Sequence, residues 1–456
     1  MRKYLVVLMV LCLFVLTSCG NNTSSILVSE NNEEISIPDN IGDVIHITSV
    51  ELNSSINFSN DYSIVGSKGD TEKLAFLKNR FEDIGLQNIH TVEVPMDSWN
   101  TEGLILQYEC ECEKPETIKI YSIGVYPREF NYNDYNTRIV NIKNGNEEDY
   151  KKAGDIDGAG ILILNSDNLS DKIDLAVKNG CSFVMYVDTR DNRVDIGTYK
   201  IDLESDYADL YSKDIPIFVI SEMTYASMKN DFVEYEGKEV ILNGYSVLKS
   251  NINSEFLIGD IEGKKKDEFV YVTASRDSIF NGYLSSSQGI STLLTIADLL
   301  NEKEYVPEKT IRFMITTGNI WGSCEGGYGK GIQNYILGTN EKISSVIALD
   351  SLVLLKDNIY LNIGMSETLQ KKGEDILKTI ENNSVICNIV DIDKNYAGEG
   401  TIWSINEIPT VMPIELDTSL YYLYENTNRD EPGLGTDNDL AHYAVEFFVK
   451  LLKALA

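Results

Sequence analysis

The hydrophobic pattern of the chain is clearest between residues 269 and 300. Residues 269–274 form a short apolar run of β-branched and aromatic side chains, which predicts a buried strand. A polar loop, residues 275–288, follows it. Apolar positions then recur with the 3.6-residue period of a helix that buries one face; they are Ile290, Leu293, Leu294, Ala297 and Leu300. Because open α/β sheets bind ligands beyond the carboxyl ends of their strands, we expect this loop to line the binding site.

The same alternation of strand and helix patterns continues along the chain. An amphipathic helix, capped by Asp70 or Thr71 and ended by Gly85, precedes a strand at residues 88–94. From about residue 254 onward the alternation predicts a larger α/β domain. Its strands are predicted at residues 256–260, 269–274, 310–317, 345–350, 385–390 and 410–414. Its helices are predicted at residues 289–301, 326–337, 367–381 and 438–455.

A second, smaller unit is predicted between residues 119 and 243. Its strands fall at residues 160–164, 182–187 and 215–221, and its helices at residues 170–179 and 223–230. The succession Gly-Ala-Gly-Ile-Leu-Ile-Leu, helix, Ser-Phe-Val-Met-Tyr-Val and Ile-Pro-Ile-Phe-Val-Ile-Ser resembles a protease-associated domain, a non-catalytic insert of peptidases. Any small α/β subdomain is the alternative.

The N-terminus has the pattern of a secretory signal. Two basic residues precede an apolar run at residues 5–15 that is too short to span a bilayer. Leu-Thr-Ser-Cys-Gly at residues 16–20 resembles a bacterial lipobox, which implies cleavage after residue 18 and lipid on Cys19. An ordinary signal peptide is the alternative. Residues 19–45 are predicted to be a polar, flexible tether, with the first folded element near Tyr62. We therefore expect an extracytoplasmic protein anchored to the bacterial membrane by acyl chains.

Charge and cysteine content narrow the possible partners. The chain has 39 basic and 71 acidic residues, a net charge of −32, which argues against nucleic acid or anionic lipid as a partner. Cys110, Cys112, Cys181, Cys324 and Cys387 remain beside Cys19 in the mature chain, and their spacing suits neither a disulfide framework nor a zinc site. Whether Cys110 and Cys112 form a disulfide is left open by the sequence.

The order of these segments resembles the two-zinc exopeptidases typified by aminopeptidase Y and glutamate carboxypeptidase, with the transferrin receptor as a relative. The resemblance covers nearly all of the mature chain. It implies an α/β fold in which a three-layer domain with a mixed sheet, residues 46–118 and 244–456, carries a protease-associated insert, residues 119–243. In that family two zinc ions activate a bridging water, and a separate Glu acts as the general base.

Several of the family's metal-binding positions hold other residues in this chain. The family's His-x-Asp-Ser is here Ser275-Arg276-Asp277-Ser278, so Ser275 replaces a zinc histidine and only Asp277 behind it is retained. The bridging Asp falls at Ser285, where helix capping by residues 285–287 is a better interpretation than a nucleophile. The Glu-Glu pair, base and ligand, falls at Asn319 and Ile320.

Of the two remaining metal-ligand positions, one keeps its ligand residue and the other does not. Leu349-Asp350-Ser351 matches the family's Leu-Asp-Ser/Met element, so Asp350 is a retained ligand position. The C-terminal zinc histidine falls at Asn426, or at Glu425 if the alignment slips by one residue. The chain has only three histidines, at positions 46, 90 and 442, and none adjoins these segments. We therefore expect no two-zinc site, no bound cofactor and no catalytic residue.

Two functions remain open. The first is binding or scaffolding by a membrane-anchored lipoprotein without peptidase activity, with an unknown protein or peptide as partner. The second is an active metal-dependent exopeptidase with a rebuilt site of Asp277, Asp350, Glu399 and Glu425, which suits Mg²⁺, Ca²⁺ or Mn²⁺ better than zinc. If no metal is bound, Asp277 and Asp350 have no cation between them, and we expect Arg276 or Arg429 to reach into the site. The expected cleft residues are Arg276, Asp277, Trp321, Asp350, Glu399, Glu425 and Arg429.

Overall fold

The structure is a computed structural model. It describes residues 35–54, 62–109, 116–120, 129–164, 167–188, 215–279, 281–319, 329–350, 352–356, 358–381, 384–392, 398–414 and 430–456.

Helices and strands alternate along most of the chain. The helices are α1 (Ile41–Ser54), α2 (Lys68–Ile84), α3 (Glu147–Ala153), α4 (Leu169–Lys178), α5 (Glu222–Met228), α6 (Gln288–Glu302), α7 (Lys330–Gly338), α8 (Glu367–Leu377), α9 (Glu399–Ile405) and α10 (Asn438–Leu455). The strands are β1 (Tyr62–Ser63), β2 (Gln87–Tyr108), β3 (Glu116–Ile120), β4 (Phe130–Asn141), β5 (Gly160–Ile163), β6 (Phe183–Asp188), β7 (Ile217–Ser221), β8 (Gly237–Ile261), β9 (Lys265–Ser275), β10 (Ser278–Ile279), β11 (Lys309–Thr316), β12 (Lys342–Ala348), β13 (Tyr360–Met365), β14 (Ile386–Asp391) and β15 (Thr410–Pro413).

Thirteen of the described strands form one mixed sheet, in the order β14-β13-β15-β12-β9-β11-β8-β4-β5-β6-β7, with β2 beside β8 and β3 beside β2. At its centre β9 runs parallel to β11 on one side and to β12 on the other. Both neighbours therefore end at the same edge of the sheet as β9. The predicted mixed α/β fold is confirmed.

Helices cover both faces of this central region. Along β9, Val270 and Val272 pack into the core formed with α6 and α10, whereas Tyr271 between them packs toward α7 and α9. Successive side chains of a strand point to opposite faces, so β9 contributes to two cores at once. The result is a helix–sheet–helix sandwich in three layers.

The ribbon of β2 and β8 is much longer than the sequence pattern indicated. The two strands pair from Gln87 opposite Asp260 to Gln107 opposite Ile241, where strands of only residues 88–94 and 256–260 were predicted. The ribbon runs from the central cores to a separate core built by β4–β7. The domain boundary predicted between residues 243 and 244 thus falls inside β8, and the division into domains stays a prediction.

The N-terminal part of the described chain corrects another expectation. Residues 41–54, partly assigned to a flexible tether, form α1, which packs against α6 and α10. Its Gly42 amide donates to the Asn438 Oδ1 atom at 2.8 Å. A Cβ atom at Gly42 would lie 2.6 Å from the Asn438 backbone, so this close approach requires glycine. No helix among the described residues is long and apolar enough to cross a bilayer.

Candidate functional site

Parallel strands bring the predicted site residues to one edge of the sheet. Ser275 ends β9 and Thr316, its partner in register, ends β11. Asp350 follows β12 by two residues, and Ala348 of that strand is in register with Thr273 of β9. The segments after these three strands therefore meet at the carboxyl edge, where α/β sheets bind ligands.

A buried carboxylate pair forms the centre of this edge. Glu399, the first residue of α9, is fully buried, and its backbone amide donates to Asp350 Oδ2 at 2.6 Å. Its Oε2 atom accepts hydrogen bonds from Thr316 Oγ1 at 2.6 Å and from Asn319 Nδ2 at 2.8 Å, while Trp403 Nε1 donates to Oε1 at 3.3 Å. Burial raises the pKa of Glu399, although these hydrogen bonds oppose the shift.

Asn319, which the sequence resemblance aligned with a general base, is held in place by its own amide. It is 1% exposed, and its Nδ2 atom donates to Glu399. Its Oδ1 atom is buried without a hydrogen-bond partner among the described residues. The chain reaches this position through Gly318, whose φ of +79° is left-handed and whose Cβ would lie 2.5 Å from Met96 Sδ. The turn therefore depends on glycine.

A second buried group supplies positive charge to the edge. Lys73 of α2 is fully buried, and its Nζ atom donates to Ser278 Oγ at 2.7 Å and to the Arg276 carbonyl at 3.1 Å. Burial lowers the pKa of Lys73 to about 8, while nearby carboxylates act in the opposite sense; they are Asp277, Asp70 and Asp430.

Arg276 is buried, but its described contacts differ from those expected. Its Nε atom donates to Asp70 Oδ1 at 2.7 Å and its Nη1 atom to the Glu255 carbonyl at 2.7 Å. Neither of these two contacts reaches Asp277 or Asp350; Arg429 lies outside the described residues, so neutralisation by Arg276 or Arg429 stays a prediction. Lys73 is a buried cation whose charge interacts with Asp277.

Hydroxyl groups of the Ser-rich segment are committed to neighbouring elements. Ser275 Oγ donates to Asp277, and Ser285 Oγ donates to Asp430 Oδ2 at 2.9 Å. Ser286 Oγ donates to the Ser275 carbonyl and Ser287 Oγ to Asn53 of α1, both at 2.9 Å. Residues 283–287 form a π-helical turn continuous with α6, without a side-chain cap, so the capping prediction is wrong.

The three histidines lie on separate elements. His46 on α1 shares a hydrogen bond of 2.8 Å with the Tyr283 hydroxyl through its Nδ1 atom. His90 is exposed on β2 and contacts the Asn88 carbonyl, and His442 is half-buried on α10. Among the residues that the structure describes, no three His, Cys, Asp or Glu side chains form a group that could hold a metal ion.

Comparisons with solved structures identify the fold. BSAP, a zinc aminopeptidase from Bacillus subtilis, has a TM-score of 0.66 at 16% identity, with 92% of this chain and 96% of that chain covered. A peptidase precursor from Shewanella amazonensis gives 0.65 at 14%, covering 91% and 95%. An aminopeptidase from Aneurinibacillus sp. strain AM-1 gives 0.57 at 13%, covering 92% and 96%. The chain has the fold of the zinc aminopeptidases. No family model and no curated protein matches its sequence.

Several predicted residues of this aminopeptidase-like edge lie outside the described residues; they are Ile320, Trp321, Glu425, Asn426 and Arg429. The same holds for Cys19, Cys110 and Cys112. Sequence analysis missed Lys73 and Asp430. The sequence signal that could have identified Lys73 is its position three residues after Asp70, which places the two side chains on the same face of α2. Asp430 lies four residues after Asn426, which the sequence resemblance aligned with the C-terminal zinc histidine.

Proposed function

We propose that this protein uses the zinc-aminopeptidase fold for binding or scaffolding, without peptide hydrolysis. We further propose that it is an extracytoplasmic lipoprotein held at the bacterial membrane through Cys19, with a protein or peptide as partner. The fold rests on the comparisons above. The absence of hydrolysis rests on the contacts at the carboxyl edge.

The described side chains at that edge do not fit a two-zinc centre. Zinc takes thiolate, imidazole or carboxylate ligands, usually three per catalytic ion. At two of the aligned ligand positions stand the neutral hydroxyls of Ser275 and Ser285, and both already donate to carboxylates, Asp277 and Asp430. Asp350 is the carboxylate left at an aligned ligand position, and it accepts a hydrogen bond from the Glu399 amide.

One observation carries the proposal. The residue in the position of the general base, Asn319, donates its amide protons to a fully buried carboxylate. A general base must accept a proton from water near neutral pH. A carboxamide has no basic group for this, and its orientation here is fixed by Glu399.

The alternative is an exopeptidase with a rebuilt carboxylate site. Of its four proposed ligands, Asp350 and Glu399 are neighbours, because the Glu399 backbone amide donates to Asp350 Oδ2 at 2.6 Å. Asp277 accepts the Ser275 hydroxyl, and Glu425 lies outside the described residues. The same experiment tests both functions.

The deciding experiment is elemental analysis of a soluble form, residues 24–456, after loading with zinc or manganese and removal of free metal. We expect well under one ion per chain and no hydrolysis of aminoacyl or peptide reporters. One or two retained ions, lost together with activity in Asp350→Asn, would establish the rebuilt enzyme instead. Retained ions without activity would leave the binding function standing and contradict the metal-free site.

Anchoring has its own test. Cys19→Ser removes the lipid attachment point and leaves the folded part unchanged. We expect mass spectrometry to show acyl chains on an N-terminal Cys19 in the wild-type chain, and none in the variant, which should also keep residues 1–18 because cleavage at a lipobox follows lipidation. A wild-type chain without acyl chains on Cys19 would contradict lipid anchoring there.

A further inference from the structure

A cavity of about 270 Å³ lies between β2 and the end of α7, toward the amino ends of β11 and β12. Its apolar wall is made by Val92, Val94 and Ile258, with the ring of Tyr335 beside them. Its polar lining includes Arg312, Asn334 and Glu341. This volume suits a ligand smaller than a typical drug-sized molecule.

A buried ionic network forms the base of the cavity. Arg312 donates to Asp260 through two parallel hydrogen bonds, Nε to Oδ1 at 2.8 Å and Nη2 to Oδ2 at 2.9 Å. Its Nη1 atom donates to Glu341, which also accepts hydrogen bonds from the hydroxyl groups of Tyr271 and Tyr335. The guanidinium lies 4.3 Å from the centre of the Phe269 ring. The geometry of the base is thus fixed by contacts on every side.

The charges of this network do not balance. The guanidinium of Arg312 is the cation for two carboxylates, Asp260 and Glu341. Its two parallel hydrogen bonds go to Asp260, whose side chain is 2% exposed. The Glu341 side chain is 30% exposed on the cavity wall. Burial opposes ionisation of Glu341, but hydrogen bonds from Tyr271 and Arg312 prevail and lower its pKa. The network of Arg312, Asp260 and Glu341 therefore carries one more negative than positive charge.

The end of α7 adds to this surplus. The helix ends at Gly338, and the cavity is lined by Gly338, Thr339 and Asn340. The carboxyl end of a helix carries partial negative charge from its last carbonyl groups. The helix end and the carboxylates thus favour the same sign of ligand, and the apolar wall favours a short hydrocarbon part.

We propose that this cavity binds a small organic cation, an ammonium or guanidinium group on a short apolar chain. The cation lies against Glu341 and the end of α7, and its hydrocarbon part contacts Val92, Val94 and Ile258. The proposal concerns the opposite end of the strands from the aminopeptidase-like edge and does not depend on whether that edge is active.

Calorimetric titration of the full soluble chain with three matched probes tests the proposal. The probes are n-hexylammonium, n-hexanol and hexanoate, which share the hydrocarbon part and differ in charge. We expect saturable binding of hexylammonium, at least about tenfold tighter than hexanol because of charge-assisted hydrogen bonds. We expect no binding of hexanoate, and weaker cation binding at 0.5 M salt. Failure of hexylammonium to saturate at 20 mM, or equal binding of hexanoate, would overturn the proposal.

Variants locate the binding. Glu341→Gln keeps the shape and removes the charge, and we expect about tenfold weaker binding of hexylammonium. Glu93→Gln is the matched control and should leave the affinity unchanged, because the Glu93 side chain lies on the other face of β2 and accepts a hydrogen bond from Asn253. Gly338→Leu adds a bulky side chain to the cavity lining without a clash, since no atom lies within 4 Å of the position of its Cβ, and should weaken binding. Unchanged affinity in both Glu341→Gln and Gly338→Leu, or a loss as large in Glu93→Gln or in the remote control Glu147→Gln, would place the binding elsewhere.

Discussion

The two ends of strands β9, β11 and β12 carry buried charge in different ways. At the carboxyl edge, Asp350 and Glu399 accept hydrogen bonds from backbone and side-chain donors, and Lys73 and Arg276 supply internal cations. Toward the amino ends, Arg312 is shared between Asp260 and Glu341, and a cavity of about 270 Å³ lies beside the second carboxylate.

The two regions differ in whether groups of the chain alone, or also water or a ligand, pair with their buried charges. Buried charges must be paired or neutralised, because moving them out of water is costly. At the carboxyl edge, the described partners of the buried carboxylates are hydrogen-bond donors of the chain itself and two buried cations, Lys73 and Arg276. The cavity leaves Glu341 partly accessible, so water or a cationic ligand can complete its environment. A known fold therefore identifies the place of a site, whereas the surrounding charges decide what it binds.

The largest effect is expected from Lys73→Met. The substitution removes a buried cation whose charge acts on Asp277, Asp70 and Asp430, of which Asp70 is also paired with Arg276. Removing one member of a buried ionic cluster leaves the others uncompensated and costs about 3–5 kcal/mol. Urea unfolding measures the loss.

Lys68→Met is the matched control, because Lys68 stands on the same helix with a side chain that is 74% exposed. Its ion pair with Glu72 should contribute less than about 1 kcal/mol. A Lys73→Met chain as stable as this control would show that the carboxyl edge is balanced by another group.

The next effect is that of Arg312→Met in the second region. We expect a loss of about 2–4 kcal/mol, less than for Lys73→Met, because the cavity lets water solvate Glu341. Adding Asp260→Asn should recover part of the lost stability, since the unpaired buried carboxylate of Asp260 is then removed. Denaturant unfolding of both single variants and the double variant measures this. A larger loss for Arg312→Met than for Lys73→Met would mean that the cavity does not relieve Glu341.

The sequence predicted the central fold because its strands and helices keep strict periods. Residues 269–274 lie within β9, and the helix predicted at residues 438–455 has the bounds of α10. The ribbon of β2 and β8 was predicted too short, since its partly exposed pairing leaves no continuous apolar run. Helix α1 was missed because Asn and Ser residues on it, such as Asn53 and Ser49, are buried through hydrogen bonds to α6 and the turn before it.

Part of the site was open to sequence analysis for a different reason. Asp277, Asn319 and Asp350 were named because short motifs of the resembled family align with them, each at or just after the end of a predicted strand. Lys73 lies on a helix about 200 residues away, and its contact with Ser278 arises only when α2 packs against the loop after β9. Glu399 was named as a candidate, but its burial against Asp350 depends on α9, a helix that the pattern did not predict.

A smaller effect concerns pH and Glu399. Burial raises the pKa of Glu399 above its ordinary value of 4.5, so the folded chain holds this proton more tightly than the unfolded chain. The stability from this group is present below pH 4.5 and is lost as pH rises through the folded value. The stability difference between wild type and Glu399→Gln should therefore fall with rising pH, by up to about 1.4 kcal/mol per pH unit. Urea unfolding between pH 4 and 8 measures it, and a constant difference would contradict the shift.

The smallest effect separates stability from binding at the cavity. Tyr335 Oη donates to Glu341 Oε2 at 3.1 Å, so Tyr335→Phe removes one of the three donors to that carboxylate. We expect a loss of about 1 kcal/mol in the free energy of unfolding, and about twofold tighter binding of hexylammonium, because Glu341 then has more charge left for the ligand. Tyr360→Phe, on a ring that is 47% exposed, is the control and should change neither quantity. If Tyr335→Phe weakened both stability and binding, Glu341 would be a structural residue of the core and not the anion that attracts the ligand.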